Sequence, residues 1–288
     1  MRIRYSFSSR RSGRIEGHNR HKQPMPKLAK DVIKISDIVL EVLDARYLEE
    51  TRNKEIEKFI KEQGKFLIYV LNKADLIELA EVKHNLEISE LEPYVFFSCK
   101  TKIGRKRLRE MIKIEVKRLK IKHKKAHVGV VGYPNTGKSS LINLLSGRKA
   151  AGTAAEAGFT KGISRIRFNK DILILDTPGV ISEIENANTN KMDLKKEAKI
   201  GVRTYDKVKE PDMIISRLML ENPGLFERFY EIEAKGDAEV LLEQLGRKKG
   251  FLAKGNKVDA DKIARYILKD WQEEKITRSN VVNSKSSE

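Results

Sequence analysis

The stretch that most limits what this chain can fold into is His127 to Ser140, read HVGVVGYPNTGKSS. A short apolar run, Val128 to Val131, stops at Gly132. Gly137, Lys138 and Ser139 then complete the spacing G-x-x-x-x-G-K-S. That pattern is a Walker A phosphate loop. It needs a strand, a glycine-bearing turn whose N–H groups face an anion, and a helix that adds its positive dipole end. Asn135, Thr136, Gly137, Lys138, Ser139 and Ser140 are therefore expected to bind phosphate. Lys138 should reach the β- and γ-phosphates as a catalytic group, and the Ser139 hydroxyl should hold Mg²⁺. The bland alternative is a glycine turn between a strand and a helix. Lys-Ser in register, with a strand before and a helix after, favours the phosphate loop.

The segments around it alternate in the same way. Lys27 to Ser36 reads as a short helix and Asp37 to Asp44 as a strand. Asn53 is placed to cap a helix over Lys54 to Gln63, which Gly64 stops. Phe66 to Leu71 (FLIYVL) has the length and the apolar, β-branched content of a buried strand. A helix is expected over Leu76 to His84, a strand over Tyr94 to Phe97, and a long basic helix over Gly104 to Lys125. Ser164 to Phe168 and Ile172 to Leu175 read as neighbouring strands. The polar region 183–209 is weakly periodic. Helical apolar spacing resumes from Asp212 to Ala260, and a last helix spans Asp259 to Lys275, with Trp271 in its core. Strands alternating with helices imply an α/β fold with a mainly parallel sheet, followed by a helical unit.

Charge points to the partner. Lys and Arg number 59 and Asp and Glu 41, so the net charge of +18 over 288 residues suits a polyanion better than a merely solubilising surface does. Residues 1–26 are Arg- and Ser-rich with Glu16 as their single acid. They read as a disordered arm that orders on RNA, with a mitochondrial transit peptide as the alternative. His18 lies there as a solvated residue. Lys117 to Lys125 (KRLKIKHKK), Arg247 to Lys249, Lys254 and Lys257 are candidate phosphate-backbone contacts. A single cysteine, Cys99, excludes an internal disulfide and a thiolate zinc site. No apolar run reaches the roughly 20 residues needed to span a bilayer, so a soluble, cytoplasmic, monomeric protein is expected, with no membrane partner.

Three further motifs follow strands. Asn72-Lys73-Ala74-Asp75 is N-K-x-D. A carboxylate at Asp75 can accept both N1–H and the exocyclic amino hydrogen of guanine, whereas adenine would leave it buried and unpaired. The Lys73 stem would pack along the base and brace the phosphate loop, and Asn72 would tie neighbouring loops together. Ser98-Cys99-Lys100 stands where S-A-K would offer a backbone N–H to the guanine carbonyl. Asp176-Thr177-Pro178-Gly179 is D-x-x-G. Asp176 would hold Mg²⁺ through water, and the Gly179 N–H would sense the γ-phosphate. Thr160 is the expected second hydroxyl on Mg²⁺, with Thr153 the alternative. Asp44 and Arg46 are expected to form an ion pair bracing the loop beside the nucleotide, with direct catalysis as the alternative because they stand at a strand end.

This set resembles that of the GTPases, but in a changed order, with Asn72–Asp75 and Ser98–Lys100 ahead of the phosphate loop. With Asp44-Ala45-Arg46 and Arg52-Asn53, the chain resembles the RbgA/YlqF-like family of circularly permuted GTPases over roughly residues 25–275. The resemblance implies a permuted P-loop GTPase domain (27–182), a switch or linker region (183–209), a C-terminal α-helical RNA-binding domain (210–276) and a disordered tail (277–288). It implies GTP and GDP as ligands, Mg²⁺ as cofactor, and a role with the large ribosomal subunit, its precursor and rRNA. Val180 stands where many GTPases carry a catalytic Gln, which implies slow intrinsic turnover raised by RNA or the ribosome. His21 is the expected catalytic histidine, although Arg20 to Pro26 differ from the family's G-H-M pattern. Asn135 resembles the asparagine of potassium-activated GTPases and implies K⁺. Two other readings compete: an RNA-binding scaffold using GTP only structurally, and a P-loop nucleotide-metabolising kinase.

Overall fold

The computed structural model describes residues 27–77, 86–121, 125–147, 163–176, 201 and 204–277. The arm 1–26, Thr153, Thr160, Gly179, Val180, most of the 183–209 region and the tail beyond Thr277 lie outside the described residues.

Six strands form one sheet: β1 (Ile38–Asp44), β2 (Phe66–Asn72), β3 (Tyr94–Phe96), β4 (Ala126–Val131), β5 (Ser164–Arg167) and β6 (Ile172–Asp176), in the spatial order β3-β2-β1-β4-β6-β5. All neighbours pair in parallel except β5, which runs antiparallel to β6. The phosphate-loop strand β4 is central. The three strands that precede it in the chain lie to one side, and the two that follow lie to the other. Parallel strands deliver their polar turns to one edge, where open α/β sheets bind ligands. Register sharpens this, because Asp44 pairs with Asn72 across the β1–β2 ladder.

Helices cover both faces. Ile38, Leu40 and Val42 of β1 face one way and pack with Ile68, Val70, Val128 and Ile174, beneath Leu108 and Ile112 of a basic helix and Leu141 and Leu145 of the helix after the phosphate loop. Val39 and Leu43 face the other way, with Leu67, Leu71, Ile33 and Ile60. This period-2 alternation, apolar on both faces, is expected of a buried parallel strand. The helices on the second face are α1 (Lys27–Ile35) and α3 (Lys54–Glu62), with the single turn α2 (Leu48–Thr51) between them. Asn53 caps α3 by accepting from the N–H groups of Glu55 and Ile56. The short α4 (Leu86–Ser89), the basic α5 (Arg105–Arg118) and the phosphate-loop helix α6 (Lys138–Ser146) complete this part.

Asp75 lies within a 3₁₀ turn (Ala74–Leu76), and Ile77 is extended; most of the helix expected over Leu76 to His84 lies outside the described residues. One expectation changes here. The basic helix ends at Arg118 rather than Lys125. Lys120 adopts left-handed backbone at φ 44°, which breaks the run before β4 must start.

The chain after Pro211 builds a core of its own from α7 (Pro211–Glu221), α8 (Leu225–Tyr230), α9 (Ala238–Lys249) and α10 (Ala260–Gln272). Trp271 is buried there, stacked on Phe226 at 5.5 Å. A two-stranded hairpin, β7 (Leu252–Ala253) and β8 (Lys257–Val258), interrupts what the sequence reads as continuous helical spacing. Tyr47, from the turn after β1, packs into this helical core with its ring 6.5 Å from Trp271, and so joins it to the sheet's ligand edge.

Candidate functional site

The loops at that edge enclose a cavity of about 430 Å³. One end is lined by Asn72, Lys73, Asp75, Cys99 and Lys100, the other by Asn135, Gly137, Lys138, Ser139 and Ser140. N-K-x-D and the phosphate loop are thus brought together although 64 positions separate Asn72 from Thr136. Asn72 performs the joining: its Nδ2 donates to the Thr136 carbonyl at 2.7 Å. Gly137 makes this possible. Its φ of 94° lies in the left-handed region, and a Cβ there would stand 2.2 Å from Asn72 Nδ2.

At the phosphate end, Lys138 opens α6 and its Nζ donates to the Tyr133 carbonyl at 2.5 Å. Burial pushes its pKa down to about 8, opposed by the nearby Asp176 carboxylate. Thr136 is buried, and its hydroxyl donates back to Tyr133 at 2.9 Å. Asn135 has left-handed backbone at φ 59° and donates its side-chain amide to the Gly201 carbonyl. At the other end Ser98 does not line the cavity. It is fully buried, and its Oγ accepts from Thr101 N–H at 3.0 Å, which shapes the loop. Burial pushes the Cys99 thiol up to about 11 and keeps it neutral at physiological pH. His21, Thr160 and Gly179 lie outside the described residues.

The Asp44–Arg46 ion pair read from the sequence is present. Arg46 grips both carboxylate oxygens, Nε to Oδ1 at 3.0 Å and Nη2 to Oδ2 at 2.8 Å. Lys73 Nζ adds a third contact at 2.9 Å. Burial alone would push this carboxyl up, but the two cations outweigh it and hold Asp44 below the usual carboxylate range. The Lys73 ammonium therefore sits on Asp44, beside Asn72 in register, instead of on the phosphate loop. Sequence reasoning missed two lining residues, Gln272 and Glu274, which arrive from the end of α10. Their neighbourhood carries no motif that could have marked them.

A sequence-family model described as 50S ribosome-binding GTPase matches residues 127–235. An uncharacterised GTP-binding protein of Methanocaldococcus jannaschii is 39% identical over 259 residues, 88% of this chain and 66% of the relative. Nucleolar GTP-binding protein 2 of Saccharomyces cerevisiae is 34% identical over 257 residues, 85% of this chain and 50% of the relative. GNP-bound YlqF from T. maritima superposes with a TM-score of 0.59 at 25% identity, covering 87% of this chain and 94% of that one. The chain belongs to the YlqF-like family of circularly permuted GTPases. The strand order gives the physical content of that statement, since strands β1 to β3 and the N-K-x-D and S-C-K loops that follow β2 and β3 precede the phosphate loop in the chain yet flank it in space.

The chain spans two thirds or less of the length of these curated relatives. Family membership brings a guanine nucleotide and, usually, Mg²⁺. The residues present fit both groups. Gly137 leaves a cradle that a Cβ would fill, Ser139 lies in the first turn of α6, and Asp176 ends the neighbouring strand β6. Among the described residues no helix is long and apolar enough to cross a membrane.

Proposed function

We propose that this protein binds GTP and hydrolyses it to GDP and phosphate as a switch in assembly of the large ribosomal subunit, acting on rRNA or pre-ribosomes. The observation that carries the reading is the Asn72–Thr136 hydrogen bond, which locks N-K-x-D and the phosphate loop into one cavity. Asp75 reads the guanine edge, the Lys73 stem flanks the base, and the Ser98–Lys100 backbone meets the guanine carbonyl. N–H groups from Asn135 to Ser140 hold phosphates, and Lys138 neutralises charge that grows on them during transfer. Ser139, Asp176 and Thr160 are the Mg²⁺ residues. Mg²⁺ held there would supply further neutralisation of phosphate charge. Gly179 senses the γ-phosphate, His21 orients the attacking water, and Asn135 holds K⁺.

The basic arm 1–26 and the helical RNA-binding unit 210–276 hold RNA, 27–182 is the GTPase unit, and 183–209 relays the switch. The +18 charge and the relatives' printed names, ribosome-binding and nucleolar, support the partner. The protein acts as a cytoplasmic monomer. The test measures GTP hydrolysis in K⁺ and Na⁺ buffers, with and without large ribosomal subunits, beside Lys138→Ala. A Lys138-dependent rise with subunits is expected. Turnover unchanged by subunits refutes the ribosomal reading, and equal rates in both salts refute K⁺.

A further inference from the structure

The guanine end of the cavity holds a carboxylate that the reading above does not use. Glu274 follows α10 in left-handed backbone, φ 61°, and its Oε1 lies 2.9 Å from Lys73 Nζ. Asp44 reaches the same ammonium at 2.9 Å from the sheet. Lys73 is thus held between two carboxylates, one from the sheet edge and one from the helical unit. Its side chain is only 13% exposed and that of Glu274 33%, so the pair is partly shielded from water. The same end of α10 also reaches toward the phosphate loop. Gln272 Oε1 accepts from Tyr205 N–H at 3.1 Å, and a Cβ on Gly201, whose carbonyl Asn135 holds, would meet Gln272 Cγ at 3.8 Å.

We propose that Glu274 is a positioning residue for guanine recognition, supplied by the helical unit: it fixes the Lys73 ammonium so that the lysine stem flanks the base. The inference rests on the guanine reading of Asn72–Asp75. Displacing the end of α10 then weakens guanine-nucleotide binding, and by linkage a bound nucleotide holds α10 in place. A partner that docks on the helical unit and moves α10 loosens the nucleotide from its base end, which is a route to release separate from the γ-phosphate switch.

The test uses the full chain and fluorescent GDP, GTP and ADP analogues. Glu274→Gln removes the charge and keeps the shape. Glu273→Gln is the control, because Glu273 is exposed and pairs with Lys269 and Lys275. The expected Kd rise is about fivefold for GDP and GTP alike in Glu274→Gln, the size of a partly shielded ion pair, with no more than about twofold in the control. Trp271, the sole tryptophan, sits three residues before Glu274 and gives a second readout. Saturating GDP should change its emission in the wild type and not in Glu274→Gln, while the nucleotide-free Tm stays within about 2 °C. Equal Kd values for wild type and Glu274→Gln, with GDP still preferred over ADP, overturn the inference and leave the site reading standing. A fallen Tm with equal affinity losses for GDP and ADP marks a merely structural residue and also overturns it. No preference for GDP over ADP in the wild type refutes the site reading itself.

Discussion

Glu41 sits in the middle of β1 with no exposed surface, an acid between the apolar Leu40 and Val42. Its Oε1 accepts from Asn53 N–H at 3.1 Å, and its Oε2 is buried with no hydrogen-bond partner among the described residues. Burial and then the neighbouring Glu57 push its pKa from 4.5 up to about 8, against the Asn53 N–H and Arg52, which pull it down. Between those two values the folded protein keeps a proton that the unfolded chain has lost. Stability from this residue is therefore fully present below about pH 4.5 and is lost as pH rises through 8. Glu41→Gln retains the shape and the acceptor for Asn53 and cannot ionise. Its stability relative to wild type should increase by about 2–3 kcal/mol between pH 5 and pH 7, and stop increasing once the folded glutamate ionises above about pH 8. Urea unfolding followed by far-UV circular dichroism at pH 5, 6, 7 and 8.5 measures this for both proteins. Parallel stability curves would refute the reasoning, because they would mean that Glu41 titrates alike in both states.

Three other outcomes are expected. Asp44→Asn removes the shared counter-charge of Arg46 and Lys73 and should destabilise by about 3 kcal/mol in the same unfolding assay; a loss below about 1 kcal/mol contradicts a structural ion-pair centre. Lys138, with its pKa lowered to about 8, should lose its charge as pH rises, so affinity for a fluorescent GTP analogue should fall severalfold (about 3- to 10-fold) between pH 7 and pH 9; a flat profile contradicts this. Arg109 donates to the Leu145 carbonyl near the end of α6 and lies 4.3 Å over the Phe168 ring. Arg109→Ala should lower stability by about 1–2 kcal/mol, read from urea midpoints, since it removes a cation from a helix C-terminus together with a ring contact.

Much of the architecture was legible because its causes are local. The glycines and Lys-Ser of the phosphate loop, the alternation in Val39–Leu43, the Asn53 cap and the strand-then-motif pattern each arise from backbone sterics or side-chain period within a few residues. The motif order even carried the permutation, once every motif was assigned to a strand end. What stayed hidden depends on distant neighbours. Ala74 to Leu76 form a 3₁₀ turn that brings Asp75 to the cavity, a local tightening that no residue there announces. The basic run after Arg118 looks helical, but β4 has to begin at Ala126, and Lys120 reverses the backbone first. Glu41 reads as an interruption of an apolar run until α3 and Asn53 are seen covering it. The sequence by itself determined the strands, the phosphate loop and the N-K-x-D motif, since each is written in contiguous residues. Only the tertiary structure decided that Glu274 closes on Lys73. That contact follows from where the helical core docks around Tyr47 and Trp271, and docking is settled by packing of surfaces far apart in the chain.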